Sequence, residues 1–303
     1  MKKDFLSILD INKTELEEIL SGAERLKRQK RAGVPHELLR GMSLAMIFEK
    51  SSTRTHISFE VGMHELGGHA LFLNAKDLQI GRGEEIRDTA RVASRYVSAV
   101  MIRAYRHSTV EELAANATVP VINGLSDREH PCQILADILT IREHFGDVSG
   151  LRIAWIGDGN NVCNSLVLSS TLTGMEVTVA SPKGYEVAPE LIEQARNLGG
   201  EVTTAKTPEA AVKDAQVIVT DTWISMGDEA EKEKRLAAFK GFTVNHRLLS
   251  HAAPDVRVLH CLPAHRGEEI DGDVLDGSQS LVWDEAENRL HAQKSLLVKL
   301  LKK

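Results

Sequence analysis

Two runs of strand–helix alternation, parted by one glycine-bearing break, constrain this chain more than any other feature. In the first, strand-like apolar runs at 44–48, 70–73, 99–102 and 119–122 alternate with helical spacing at 54–66, 84–97 and 108–117. A longer helix over 133–145 closes it, with Ile134, Leu135, Ile138, Leu139 and Ile141 on a broad apolar face. In the second, strands Arg152–Ile156, Val177–Ala180, Val202–Ala205, Val217–Thr220 and Val256–Leu259 are separated by helical stretches near 162–172, 187–198, 208–214 and 230–250. Parallel strands need a crossover, and helices supply it, so this alternation predicts parallel sheets flanked by helices. The Gly146-Asp147-Val148-Ser149-Gly150 stretch carries neither periodicity and is the expected linker. An α/β fold of two similar-sized domains follows, 1–147 and 148–285. Ahead of both, Leu16, Ile19, Leu20, Ala23 and Leu26 recur at helical spacing, with Thr14 and Glu17 placed as a capping box. A last helix over 286–301 carries Leu290, Leu296, Leu297, Leu300 and Leu301.

At 303 residues the chain is long for a single core, which agrees with two domains. Its 43 acidic against 37 basic residues give a net charge of −6 and no general basic field, so no nucleic-acid partner is expected. Cys132, Cys163 and Cys261 are odd in number and far apart, without a CxxC pair, which points to a reducing cytoplasm. Met1-Lys2-Lys3-Asp4-Phe5 leads into a mixed polar helix and not a signal-peptide core. No apolar run reaches the ~20 residues of a membrane span. The composition predicts a soluble cytoplasmic enzyme.

Four segments carry chemistry. Ser51-Ser52-Thr53-Arg54-Thr55 follows the run 44–48 and opens a helix. Within it, the four residues Ser52–Thr55 place three hydroxyls and a guanidinium beside a helix N-terminus, which suits a phosphate dianion held without metal. One hydroxyl would be ordinary capping, but four polar residues in a row exceed what a cap needs. His130-Pro131-Cys132-Gln133 precedes the 133–145 helix, and His130 and Gln133, three apart, can face one ligand. Asp221-Thr222-Trp223-Ile224-Ser225-Met226-Gly227 supplies an acid, a hydroxyl and a glycine after a strand, which suits a loop closing on an amino acid. His260-Cys261-Leu262-Pro263 ends another strand. Arg103 lies at the carboxyl end of 99–102, where open α/β sheets bind ligands. Gly157-Asp158-Gly159-Asn160-Asn161 imitates the start of a dinucleotide fingerprint. Its third glycine position is Val162, however, and the region some twenty residues on, Thr178–Pro182, holds no acid.

These segments, in this order, resemble the aspartate/ornithine carbamoyltransferase family, and within it the ornithine-specific members, across essentially the whole chain. The resemblance implies carbamoyl transfer from carbamoyl phosphate to the δ-amine of L-ornithine, giving L-citrulline and phosphate with no cofactor and no metal. It implies that Ser52, Thr53, Arg54 and Thr55 cradle the phosphate, and that Arg103, His130, Thr55 and Arg289 donate to the carbonyl oxygen. Gln133 and the Leu262 carbonyl would take the carbamoyl amide. Asn161 would bind the α-carboxylate end of ornithine, Asp221 and Ser225 the α-ammonium, and Met226 would shield the site. Cys261 would lie beside the attacking amine without acting as a covalent nucleophile, and Cys132 only packs. The resemblance further implies that the last helix returns to the first domain. It also implies a homotrimer, with higher assemblies of trimers left open, in which Gln79 reaches the neighbour's site. From its sequence surroundings alone, Gln79 reads as a surface loop residue.

A δ-ammonium resembles lysine, with pKa ~10.4, so selecting the free amine at pH 7 costs roughly 4–5 kcal/mol. No Lys or Glu base stands in the motifs, so the departing phosphate is the expected proton acceptor. Two alternatives stay open: a carbamoyltransferase for another amine such as putrescine or an acylated ornithine, and a nicotinamide-dependent dehydrogenase built on Gly157 and Gly159.

Overall fold

The computed structural model describes residues 3–79, 83–224 and 229–302, the last segment without the Glu229 side chain. The chain divides into two compact units, Met1–Leu139 with Glu287–Lys303, and Thr140–Ala286. The division falls inside a helix, ahead of the Gly146–Gly150 stretch.

In the first unit, β1 (Ser43–Phe48), β2 (His69–Asn74), β3 (Ala99–Arg103) and β4 (Val121–Leu125) form a parallel sheet in the order β2-β1-β3-β4. Around it run α1 (Lys13–Arg31), α2 (Thr53–Glu65), α3 (Ile86–Ala93), α4 (His107–Asn116) and the start of α5 (Pro131–Phe145). The central strands β1 and β3 are almost wholly buried, as an apolar run covered on both faces requires. β2 is the edge, and its Leu71 and Phe72 are exposed. The capping box of α1 is not the expected Thr14–Glu17 pair. Asn12 Oδ1 accepts from the Glu15 N–H at 2.9 Å while Glu15 Oε2 accepts from the Asn12 N–H. Asn caps as well as Ser or Thr, and it starts the helix earlier.

In the second unit, β5 (Arg152–Ile156), β6 (Glu176–Ala180), β7 (Glu201–Ala205), β8 (Val217–Thr220) and β9 (Arg257–His260) form a parallel sheet in the order β7-β6-β5-β8-β9. Its helices include α6 (Asn161–Thr173), α7 (Pro189–Asn197) and α8 (Pro208–Val212). The stretch 230–250, expected to be one helix, is broken into α9 (Lys232–Ala238) and α10 (His246–Leu249). Gly241 at φ +95° ends the first piece and the Asn245 side chain caps the second. A short α11 (Gly272–Leu275) precedes α12 (Val282–Leu301), whose residues from Glu287 onward belong to the first unit. Buried Lys27 donates to Asn288 Oδ1 at 2.7 Å, and buried Lys294 donates to Glu65 Oε2 at 2.6 Å, mooring α12 to α1 and α2. The expected two-domain α/β architecture with a returning C-terminal helix is what the structure shows.

Candidate active site

In each sheet the motif residues follow the carboxyl ends of the strands, with neighbours lying where the strand order reverses. In the first unit the reversal is at β1 and β3. Ser52 is the N-cap of α2 and its Oγ accepts from the Thr55 N–H. Arg54 is half-buried and Thr53 exposed in the first helical turn, while Thr55 is buried. Arg103 ends β3 and is buried.

Buried Arg289, from α12, gathers this cluster. Its Nη2 donates to Thr55 Oγ1 at 3.1 Å and its Nη1 to Gln133 Oε1 at 2.8 Å. Nη1 also lies 3.2 Å from His130 Nε2. A guanidinium only donates, so Nε2 accepts and neutral His130 carries its proton on Nδ1. Burial, then the positive charges of Arg289, Arg103 and Arg54, holds His130 well below the ordinary histidine range. Arg289 lies on the last helix, and the packing of that helix buries it. Cys132 packs, its thiol donating to the Asn123 carbonyl, and burial pushes its pKa up to about 12.

In the second unit β5 marks the reversal. The turn after β5 ends in Asn160, which caps α6 by accepting from the Val162 and Cys163 N–H groups. Its Nδ2 donates to Asp221 Oδ2 at 2.8 Å. Asn161 is the half-buried first residue of α6. A Cβ at Gly159 would lie 2.3 Å from the Val187 nitrogen, so this glycine admits the chain's own backbone. The space a pyrophosphate would need at the second glycine of a dinucleotide fingerprint is taken, which removes the support for the dehydrogenase alternative.

Buried Asp221 follows β8. Its Oδ1 accepts from the Thr222 N–H at 2.8 Å and from the Cys261 thiol at 3.0 Å. Cys261 follows β9 and is half-buried. His260 Nδ1 accepts from the Leu262 N–H at 2.9 Å, so its proton sits on Nε2, 3.1 Å from Glu269 Oε1. That pair fixes a turn in which Leu262 holds φ +59°, a strained value for a branched side chain. Asp221, His260 and Cys261 bring ligand-type atoms within 4.8 Å of one another. Both ring nitrogens of His260 are already engaged, which disfavours a cation there. Trp223 is buried, stacked on Phe239 with centroids 5.4 Å apart. Ser225 and Met226 lie outside the described residues. Gln79 is exposed, after β2.

Sequence reasoning gave Asn160 and His260 no role of their own and missed Glu269. The doubled Asn160-Asn161 and the Glu269 that follows His260 were the available signals, but only the fold shows which side chains pair.

Two parallel sheets, each presenting polar residues at strand carboxyl ends, with a cationic cluster in one unit and an acid–thiol pair in the other, define an α/β protein built to bind ligands at its strand ends. Comparison with known proteins is specific. Residues 3–143 match the family described as aspartate/ornithine carbamoyltransferase, carbamoyl-P binding domain, and residues 149–300 its Asp/Orn binding domain. The chain is 66% identical over 301 residues to an ornithine carbamoyltransferase of Methanoculleus marisnigri, covering 99% of this chain and 97% of that one. The crystal structure of ornithine carbamoyltransferase from Thermus thermophilus superposes with a TM-score of 0.90 at 45% identity, covering 100% of both chains. The ornithine carbamoyltransferase of Pyrococcus furiosus gives 0.95 at 53%, covering 99% of this chain and 97% of that one. The chain belongs to the aspartate/ornithine carbamoyltransferase family.

Proposed function

We propose that this protein transfers the carbamoyl group of carbamoyl phosphate to the δ-amine of L-ornithine, releasing L-citrulline and phosphate. The observation that carries the reading is the Arg289 cluster: a buried guanidinium held by Thr55, Gln133 and His130 beside the N-terminus of α2. The domain assignment is carbamoyl phosphate on 1–147 with 286–303, and ornithine on 148–285. Ser52, Thr53, Arg54 and Thr55 take the phosphate. Arg103, His130, Thr55 and Arg289 stabilise the carbonyl oxygen as it gains charge. A carbonyl oxygen accepts two hydrogen bonds, so Gln133 Oε1 serves Arg289 and the carbamoyl amide together, with the Leu262 carbonyl as a second acceptor. His130, kept neutral, adds an N–H donor without repelling the neighbouring guanidinium groups.

Ornithine's ammonium is assigned to Asp221, whose Oδ1 and Oδ2 are aimed by Thr222, Cys261 and Asn160, and to Ser225. Asn161 takes the carboxylate, Met226 covers the loop, and Cys261 neighbours the δ-amine. The free amine attacks the carbamoyl carbon, the C–O bond to phosphate breaks, and the departing phosphate accepts the amine proton and leaves as the dianion. The tight fit of Gly159 against residues 186–187 favours this over a nucleotide-dependent reaction. The assembly is a cytoplasmic homotrimer serving arginine metabolism. Support for oligomerisation is the exposed apolar edge of β2 at Leu71 and Phe72.

Steady-state kinetics on Arg289→Ala and Asp221→Asn test the assignment. The first is expected to raise KM for carbamoyl phosphate with little change for ornithine, the second the reverse. Equal effects of both variants on both substrates would contradict it.

A further inference from the structure

Gln133 holds its place against Arg289 only when its amide oxygen, and not its NH2 group, faces the guanidinium. The two orientations are nearly the same shape, so something must choose between them. Asp137 makes the choice. It is buried one turn further along α5, and its Oδ1 accepts from Gln133 Nε2 at 2.8 Å. A carboxylate oxygen only accepts, so it turns the NH2 group toward itself and the carbonyl oxygen toward Arg289.

A second device stands on the other side of the guanidinium. Gln293, one turn after Arg289 on α12, is buried. With its amide oxygen facing Arg289 it accepts from Nη2 at 3.0 Å and from Nε at 3.3 Å, while its NH2 group donates to Ser58 Oγ at 2.6 Å. The reverse orientation sets like dipoles against each other. We infer that Asp137 and Gln293 are positioning residues that clamp the plane of the Arg289 guanidinium where carbamoyl phosphate binds, an inference that rests on the function proposed above.

The clamp has a physical purpose. A guanidinium paired directly with a carboxylate gives up its donors and much of its field to that partner. Neutral amide oxygens orient it while leaving the charge for an incoming anion, with Asp137 set one amide away. Orientation completed before the substrate arrives lowers the reorganisation needed when charge develops on the carbonyl oxygen.

Three variants test this: Asp137→Asn, which keeps an acceptor oxygen, Asp137→Leu, which removes it, and Gln293→Met, which removes the other. Phosphonoacetamide binding is read by calorimetry, alongside kcat and KM for both substrates. Asp137→Leu and Gln293→Met should each weaken phosphonoacetamide about fivefold or more and lower kcat about tenfold, with KM for ornithine within about twofold. Asp137→Asn should stay within about threefold of the parent on every measure. Should Asp137→Leu fail to fold, Gln293→Met decides. Parental phosphonoacetamide affinity in Gln293→Met, or an Asp137→Asn protein as impaired as a folded Asp137→Leu, overturns the clamp. A parent that makes citrulline while these variants bind phosphonoacetamide normally removes the clamp and leaves the reaction. A parent that binds phosphonoacetamide yet forms no citrulline removes the reaction and leaves the clamp to the calorimetry.

Discussion

His130 shows how a single residue's surroundings set its chemistry. Burial and three arginines keep its ring neutral, and His291, buried on α12, is likewise held down to about 4, first by burial and then by the positive charge of Lys294. For such groups the unfolded chain binds a proton near pH 6.5 while the folded protein does so only at lower pH. Stability therefore falls as pH drops through 6.5 and is unaffected above it. A thermal melting series from pH 7 to 4.5 should show Tm falling, with a shallower fall in His291→Gln. An unchanged slope would show that His291 is not protonated on unfolding. On the proposed function, Arg54→Ala would remove a charge-assisted phosphate contact, and a loss of at least ~3 kcal/mol of transition-state stabilisation is expected, with the fold retained. Near-parental turnover would rule out the phosphate site. Because free ornithine is mostly ammonium, the site must lower the δ-amine pKa by desolvation and nearby positive charge, and activity should then rise with pH and level off near neutrality; a flat profile from pH 5 to 9 would contradict phosphate-assisted deprotonation.

At the scale of elements, the turn between β5 and α6 does two jobs: it caps the helix through Asn160, and it aims Asp221. Gly159→Ala would push a Cβ into the backbone at Val187, which cannot yield as a side chain tip could. We expect ~1–3 kcal/mol of lost stability and a weakened grip on ornithine, measured by chemical denaturation and KM. Unaltered stability would mean that the 186–187 segment moves aside freely. The strands were legible because both sheets bury their central strands, turning each into a short apolar run such as Leu44–Phe48 or the four residues after Arg152. The broken stretch 230–250 was not, because its composition stays helical while Gly241 and Asn245 interrupt it. The cap at Asn12 was overlooked for the ordinary S/T-x-x-E pattern at Thr14. Site residues within motifs, such as Thr55 and His130, could be read. Arg289 entered only through the family resemblance, and Asp137 and Gln293 could not be read at all, because their significance arises only when α12 is laid against α2 and α5.

For the whole molecule, the proposed trimer predicts shared sites, each taking Arg54 from one subunit and Gln79 from the next. Mixed and reassembled in equal amounts, Arg54→Ala subunits and an inactive Gln79 variant should regain ~25% of parental activity, the share of intact sites in a heterologous ring. No recovery in demonstrated hybrids would place each site within one subunit.

The most direct test of the account is the reaction itself. Purified protein supplied with carbamoyl phosphate and L-ornithine should release citrulline and phosphate one for one, without nucleotide, and should not use putrescine, N-acetylornithine or aspartate at a comparable rate. Phosphate release without citrulline, or a preference for any of those three acceptors, would contradict it.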